Sequence, residues 1–263
     1  MSAPIETPAL SVVVPFFKSE AHVERCIESL LRARDALGES VEFLFVDNAS
    51  PDGSARRVER YREVTLLREE RPGAYAARNA ALRIARAPLI AMTDADCAVA
   101  PGWLSAIRSG FAADPSVAVL LGTVSYPPGA SWVLRCLGAY ENHKTRYVLG
   151  LPSAYHFAYC NNMAVRASVF EEIGLFEEWR RAGDTELVHR LAARRPDAKV
   201  AFRPTMSVVH WEFRSARERA RRLALYQTTN SKIATFRELS ARRRLAVARR
   251  ALLTSKPLAA REP

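Results

Sequence analysis

Two aspartates separated by one residue follow directly on an apolar run near the middle of the chain. The run is Leu89–Thr93, and Asp94 and Asp96 come next with Ala95 between them. Two carboxylates on one turn can share a divalent cation, and hard oxygen ligands suit Mg²⁺ or Mn²⁺, which often bind substrate phosphates as well. The same tripeptide also occurs in ordinary solvated turns, so its chemistry depends on the elements that surround it.

Those elements alternate between short apolar runs and helical stretches. Such alternation predicts βαβ units and a mainly parallel sheet that is covered on both faces. Ligands of such sheets bind beyond the carboxyl ends of the strands, and Asp47 and the Asp94/Asp96 pair both stand at strand ends. The predicted strands cover 10–14, 41–46, 64–67, 89–93 and 117–124, and the predicted helices cover 19–37 (with Ser19 as the N-cap), 55–62 and 74–86.

The second half of the chain loses this rhythm after Pro127-Pro128-Gly129. We therefore predict one domain with a nucleotide-binding half at 10–124 and an acceptor-binding half at 125–211. A flexible N-terminus at 1–9 would precede it, and a basic helical extension at 212–263 would follow. The predicted helices of the second half cover 132–149, 184–195, 215–239 and 240–253, and the predicted strands cover 155–165, 199–202 and 206–210.

The net charge of +11 is concentrated at the C-terminal end. Residues 1–210 hold 25 Lys and Arg against 24 Asp and Glu, whereas residues 211–263 hold 14 against 4. The stretch 240–253 combines an apolar stripe with several arginines, which suits an anionic membrane surface. Packing on the body or on a second subunit, as in a homodimer, is the alternative. This extension contains no aromatic residue after residue 239, which argues against nucleic acid as its partner.

Four widely spaced cysteines, with no metal-binding spacing, are typical of reduced thiols in a cytoplasmic protein. The first residues show neither a basic segment nor an apolar core of a signal peptide, and no apolar run approaches 18 residues. We therefore expect a cytoplasmic protein that associates peripherally with the inner face of the membrane through its basic end.

An ordered set of motifs connects these features. The segments LSVVVPFFKSE, LFVDNASPDGS, RPGAYAARNAAL and PLIAMTDADC resemble, in that order, the family 2 glycosyltransferases with the GT-A fold. Further along, YCNNMAVRASVFEEIGLFEE, AGDTELVHRL and VVHWE resemble the acceptor segment, the start of the catalytic helix and the late histidine of that family. The resemblance covers residues 10–211. It implies an α/β fold of GT-A type, a nucleotide-sugar donor, Mn²⁺ or Mg²⁺, and inverting transfer of one sugar to an acceptor hydroxyl.

The resemblance also implies where the donor binds. Asp47 would accept a hydrogen bond from the N3–H of uracil or thymine, since a lone N–H donor suits a carboxylate; a turn-forming aspartate is the alternative. This role favours a UDP- or TDP-linked sugar. Residues after the first strand would surround the base and ribose, although the aromatic ones suit the core equally well: Pro15, Phe16, Phe17 and Glu20.

The resemblance further implies which residues contact the phosphates and the metal. Arg78, beside Asn79, would contact the diphosphate or the aspartates, with a surface salt bridge as the alternative. In the aspartate turn, which includes Ala95, Asp94 would contact ribose or sugar hydroxyls and Asp96 would bind the metal. His210 would add a metal ligand or a diphosphate contact, unless it is purely structural.

Asp184 is implied to be the general base that takes the proton of the acceptor hydroxyl. The family usually places a glutamate before this aspartate, whereas this chain has Gly183. That departure removes one acidic contact to the acceptor. An aspartate at the start of a helix also suits an N-cap, which is the alternative for Asp184.

The acceptor would be a glycan, a lipid-linked molecule or a small molecule. Asn161 and Asn162 would form a polar wall for its hydroxyls, Glu186 would contact it from the catalytic helix, and Trp179 with Arg180 and Arg181 would lie on a mobile loop beside it.

Two other classes remain open on the sequence. A sugar-phosphate nucleotidyltransferase also combines an α/β sheet with acidic metal ligands, but it opens with a Gly-rich loop, and here Pro15-Phe-Phe-Lys-Ser follows the first strand. A non-catalytic nucleotide- or glycan-binding module, with a basic end that binds membrane or nucleic acid, would not need Asp94, Asp96 and Asp184 together.

Overall fold

The computed structural model describes residues 7–179, 181–211 and 241–254. Its centre is an eight-stranded sheet in the order β3-β2-β1-β4-β7-β6-β8-β5. The β3-β2-β1-β4 part is parallel throughout, and β6 also pairs with β8 in parallel. The strands are β1 Leu10–Phe16, β2 Val41–Asp47, β3 Val64–Arg68, β4 Leu89–Thr93, β5 Cys97–Val99, β6 Val117–Ser125, β7 Asn162–Arg166 and β8 Lys199–His210.

Helices cover both faces of this sheet, as its buried central strands require. Every residue of β1 and of β4 is buried, and the side chains that alternate along them feed two separate cores, one on each face. The described helices are α1 Val23–Leu37, α2 Ser54–Val58, α3 Ala74–Leu82, α4 Trp103–Ala113, α5 Trp132–Leu149, α6 Ala167–Ile173, α7 Gly183–Arg194 and α8 Ala241–Thr254.

The predicted βα pattern of the first half is confirmed, with shifted ends. Helix α1 begins at Val23 and has His22 at its N-cap, so the prediction of Ser19 as the cap is wrong. The backbone carbonyl of Ser19 instead accepts the N–H groups of His22 and Val23 in a turn before the helix. Helices α2 and α3 end four residues before the predicted 62 and 86.

The second half departs further from the prediction. The strand predicted at 155–165 is present only in its last four residues, which belong to β7. A short 3-10 turn, Ser153–Tyr155, and irregular chain precede it. Strand β5 and helices α4 and α6 were not predicted. Strand β5 has three residues and α6 has seven, so their apolar stretches are too short to stand out. Helix α4 has a helical apolar pattern over eleven residues, which the sequence analysis missed. Strand β7 is antiparallel to both of its neighbours.

Strand β8 is continuous where two strands were predicted. Its register against β6 shifts between Gly122 and Thr123, which accommodates the residues that separate the two apolar runs of β8. Gly122 lies so close to β8 that an added Cβ would be 2.0 Å from the Met206 carbonyl oxygen and 2.4 Å from the Asn162 Nδ2. Glycine is therefore needed here because the two backbones approach closely.

The predicted helix at 215–239 lies outside the described residues, whereas the predicted helix at 240–253 is confirmed as α8. Helix α8 packs against α5, with Ala251 buried and the Thr254 hydroxyl 3.2 Å from the His143 Nε2. Within the described residues, no helix is both long enough and apolar enough to cross a membrane.

Candidate active site

The carboxyl ends of β1, β2 and β4 meet at one edge of the sheet, and most of the predicted site residues lie there. Asp47 is the last residue of β2, pairs in register with Phe16 and is 2% exposed. Its Oδ1 accepts the backbone N–H of Ser50 at 2.9 Å. Asp47 is thus a buried carboxylate at a strand end, held in place by the turn that follows.

The residues after β1 divide between the core and the surface. Pro15 is buried within β1, and Phe16 lies in the core with 3% of its surface exposed. The core alternative therefore describes Phe16 in this structure, and its contact with the donor stays a prediction. Phe17 is 54% exposed. Glu20 is tied to the neighbouring loop, since it accepts the Gly53 N–H at 3.1 Å and pairs with Arg57.

The loop that leads into α3 is fixed by a residue that the sequence analysis missed. Asn48, next to Asp47, donates from Nδ2 to the carbonyls of Glu69 and Arg71, at 2.8 and 2.7 Å. Its Oδ1 accepts the N–H of Gly73, the N-cap of α3, at 2.7 Å. An asparagine directly after a strand-end aspartate is the signal that could have identified it.

Arg78 on α3 is buried against the aspartate turn. It is 4% exposed, and its Nη2 donates to the Asp94 Oδ1 at 2.5 Å. The surface salt bridge considered for Arg78 is therefore wrong, and the aspartate contact is present. Its neighbour Asn79 is also buried and bonds the backbone of Phe176 through both side-chain polar atoms, so it ties α3 to the segment before α7. Ala95, 3% exposed, lies within the turn.

Asp96 and His210 lie together although 114 positions separate them in the sequence. Cys97 of β5 and His210 of β8 are direct partners across an antiparallel ladder, which places the His210 Nε2 3.8 Å from the Asp96 Oδ1. The ligand atoms of Asp96, Cys97 and His210 all lie within 4.8 Å of one another. Burial, together with the nearby charges of Asp96 and Asp94, raises the pKa of the Cys97 thiol well above its usual value.

A carboxylate and an imidazole in this arrangement fit a divalent cation that also contacts phosphate oxygens. The protonated thiol of Cys97 is the poorest ligand of the three, because thiolates rather than thiols bind metals. The residues present therefore agree with Mn²⁺ or Mg²⁺ held by Asp96 and His210.

Asp184 lies in the first turn of α7 and is 8% exposed. The N-cap is Ala182, with a left-handed φ of 64°, so the N-cap alternative for Asp184 is wrong. The Asp184 Oδ1 accepts the Thr185 N–H at 2.8 Å, and its Oδ2 accepts the Cys160 N–H at 3.2 Å. Burial raises the pKa of Asp184 despite the opposing effects of the Thr185 N–H and the Arg78 charge.

The predicted acceptor residues do not all face one surface. Asn162 is completely buried: it accepts the Trp103 Nε1–H and donates to the carbonyls of Thr123 and Met206. It cannot contact an acceptor, because none of its surface is exposed, and that prediction is wrong. Asn161 is only partly buried, and its backbone carbonyl accepts the Thr93 hydroxyl.

The other residues that were predicted to contact the acceptor lie near the start of α7. Trp179 is partly buried and packs on Ala182. Arg181 is partly buried too, whereas Arg180 lies outside the described residues. Glu186 forms an ion pair with Arg190 at 2.9 Å, and Arg190 also donates to the Leu175 carbonyl at 2.8 Å. Glu186 is thereby linked to the segment that precedes Trp179.

Comparison with known proteins agrees with this geometry. The sequence model of the glycosyl transferase family 2 matches residues 11–174, which is more than half of the chain. This chain belongs to glycosyl transferase family 2. Among curated relatives, glycosyltransferase AglE of Haloferax volcanii is 26% identical over 176 residues, which are 64% of this chain and 56% of AglE. The putative glycosyltransferase EpsH of Bacillus subtilis is 30% identical over 103 residues, 38% of this chain and 29% of EpsH. The matched part of this chain thus spans about half of the length of AglE and less than a third of the length of EpsH.

Solved structures share the fold. The mannosyltransferase PcManGT of Pyrobaculum calidifontis, in complex with GDP-Man and Mn²⁺, superposes with a TM-score of 0.65 at 21% identity, over 98% of this chain and 77% of that one. S. aureus TarS 1–349, in complex with UDP-GlcNAc, gives 0.60 at 16% identity, over 92% and 71%. The predicted GT-A type α/β fold is confirmed, with a mostly parallel sheet flanked by helices.

Proposed function

We propose that this chain transfers one sugar from a nucleotide-sugar to an acceptor hydroxyl, with inversion at the anomeric carbon and with Asp184 as the general base. The observation that carries the proposal is that one side chain, the Arg78 guanidinium, acts on both the predicted donor residue Asp94 and the predicted base Asp184. Arg78 bonds Asp94 of the donor turn, and its charge also acts on Asp184. The half at 10–124 would hold the donor, and the half at 125–211 would hold the acceptor.

Each residue has a defined role in this reaction. Asp47 would accept the N3–H of the base at the strand edge, and Asp94, fixed by Arg78, would accept sugar or ribose hydroxyls. A divalent ion on Asp96 and His210 would neutralise charge on the leaving diphosphate. Asp184 takes the acceptor proton, so that the hydroxyl oxygen bonds the anomeric carbon on the face opposite the departing phosphate. Each Asp184 oxygen accepts one backbone N–H, from Thr185 or from Cys160, and keeps a second lone pair that can take the proton.

The donor base is tested by a thermal-shift series with UDP, TDP and GDP, each with Mn²⁺ or Mg²⁺. A nucleotide present at 100 times its Kd stabilises a protein by about 2.7 kcal/mol, which corresponds to about 5–10 °C in Tm for a chain of this size. We expect UDP or TDP to give this shift. Selective stabilisation by GDP, the nucleotide of the donor bound to PcManGT, would contradict the role given to Asp47.

The metal assignment predicts that His210→Gln weakens Mn²⁺ binding about 10- to 100-fold in the presence of UDP, because one nitrogen ligand is lost. Free Mn²⁺ is measured by electron paramagnetic resonance. His143→Gln is the matched control, since His143 is a partly buried histidine that bonds Thr254 of α8. Equal Mn²⁺ affinity of His210→Gln and wild type would remove His210 from the metal site.

We also propose that the exposed side of α8 binds an anionic membrane surface. Although α8 packs on α5, it leaves two arginines, Arg249 and Arg250, and two leucines, Leu252 and Leu253, exposed. Basic and apolar side chains at one helix end suit anionic lipid, where each arginine adds about 1 kcal/mol. This location would suit a lipid-linked acceptor.

Vesicle co-sedimentation tests this surface. We expect Arg249→Glu/Arg250→Glu to lose about tenfold or more of the wild-type binding to vesicles containing phosphatidylserine. Arg56→Glu/Arg62→Glu makes the same change in net charge on exposed residues of another face and should bind as wild type does. Equal losses in both variants would mean that only net charge matters.

A further inference from the structure

A buried tyrosine links the two halves of the site. Tyr75 lies on α3 and is 6% exposed. Its ring centre is 5.4 Å from that of Phe176, and the Arg78 guanidinium carbon is 5.5 Å from the Tyr75 ring centre. Its hydroxyl accepts the backbone N–H of Asp184 at 3.3 Å. Tyr75 therefore joins the arginine that fixes Asp94 to the helix that carries Asp184.

The position of the ring explains the glycine before Asp184. A Cβ added to Gly183 would be 3.1 Å from two Tyr75 ring carbons and 3.0 Å from the Glu177 carbonyl oxygen. Both distances are closer than ordinary van der Waals contact, so Tyr75 occupies the space that a side chain at 183 would need. The family usually has a glutamate at this position. In this chain, the glycine at 183 leaves the space that the buried Tyr75 ring fills.

The Tyr75 hydroxyl also meets a need of α7. The first N–H groups of a helix have no partner within that helix, and the hydroxyl supplies one for Asp184. A phenol hydroxyl both accepts and donates one hydrogen bond. Burial raises the pKa of Asp184, and the nearby Tyr75 hydroxyl opposes this rise.

We propose that Tyr75 is a positioning residue for Asp184: its hydroxyl holds the backbone N–H of Asp184 at the start of α7, and its ring fills the space beside Gly183. The proposal rests on the proposed function, in which Asp184 is the general base. It assigns to the donor half a side chain that acts on the base across the interface between the two halves.

Tyr75→Phe tests the proposal, because it keeps the ring packing and removes only the hydroxyl. The pKa of Asp184 is measured by NMR of protein labelled with ¹³C at the aspartate carboxyl carbons, with Asp184→Asn to assign the signal. We expect the Asp184 pKa to rise by about 0.5–1 in Tyr75→Phe, the amount that one lost hydrogen bond represents. We also expect kcat to fall about tenfold, with the donor KM unchanged and the acid limb of the kcat–pH profile moved to higher pH.

Tyr159→Phe is the matched control, since Tyr159 is partly buried and its hydroxyl donates to the Gly122 carbonyl at 2.7 Å. It should lower Tm as Tyr75→Phe does, and leave the Asp184 pKa unchanged. An unchanged Asp184 pKa in Tyr75→Phe overturns the inference. A raised pKa in a chain that transfers no sugar would support the Tyr75–Asp184 link and contradict the proposed function, so the two failures are distinguishable.

Discussion

Replacing Asp184 by asparagine is expected to lower kcat by about 10²- to 10⁴-fold, the usual contribution of a positioned general base. Asparagine has the same size, but it cannot take the acceptor proton. Its Nδ2 also cannot accept a hydrogen bond, so one of the two backbone N–H groups that bond Asp184, from Thr185 or Cys160, loses its partner. Donor binding, measured as the nucleotide-induced rise in Tm, should remain close to wild type, because Asp184 lies outside the Asp47–Asp96 edge.

Asp197→Asn is the matched control for this variant. Asp197 is exposed and lies 3.9 Å from Arg195 in an ion pair, so turnover should be unchanged. Wild-type turnover by Asp184→Asn would remove Asp184 from the base role, whereas loss of nucleotide binding would place Asp184 in the donor site.

The burial of Asp184 also predicts how kcat of the wild type depends on pH. Because burial raises the pKa of Asp184, the carboxylate forms at a higher pH than an exposed aspartate, whose pKa is about 3.9. A base works only when it is deprotonated. The acid limb of kcat should therefore lie above that value and should disappear in the residual activity of Asp184→Asn.

Gly122→Ala is expected to have the largest effect on folding. Its methyl group would be 2.0 Å from a backbone carbonyl of β8 and 2.4 Å from the amide of Asn162, so β6 and β8 must separate or Asn162 must lose its hydrogen bonds. Severe overpacking of this kind costs about 3 kcal/mol or more. For a chain of this length, we expect Tm to fall by about 6–12 °C or more.

Gly129→Ala separates this steric effect from the loss of glycine itself. An added Cβ at Gly129 has no atom within 4 Å, so its stability should stay within about 0.5 kcal/mol of wild type. Both variants are compared by thermal and urea unfolding. A Gly122→Ala protein that unfolds with wild-type Tm would mean that β6 and β8 tolerate a wider spacing at this point.

The sequence predicts the parallel half of the fold well because local pattern and burial agree there. Strand β4 has the predicted limits, and Asp47 and Asp94 lie at the strand ends where a parallel sheet places its ligands. Helix α5 also begins and ends as predicted. These elements have long or uniformly apolar stretches, so periodicity alone locates them.

The side-chain contacts that could not be predicted are those between residues far apart in the sequence. Nothing near Asn162 in the sequence indicates that its side chain would be buried with hydrogen bonds to Trp103, Thr123 and Met206. Tyr75 stands in an alanine-rich helix, where one large polar aromatic residue is conspicuous, but its contact with Asp184 spans 109 positions. Only the assembled sheet brings such residues together.

The short ladder between β5 and β8 restricts where the chain can change in length. Cys97 and His210 are paired directly, and moving one strand by a single residue would turn His210 to the other face of the sheet. An insertion in the loop between β6 and α5 would leave this pairing untouched, whereas one between Ser207 and His210 would separate the imidazole from Asp96. Related chains should therefore vary in length at the first place and keep a fixed spacing at the second.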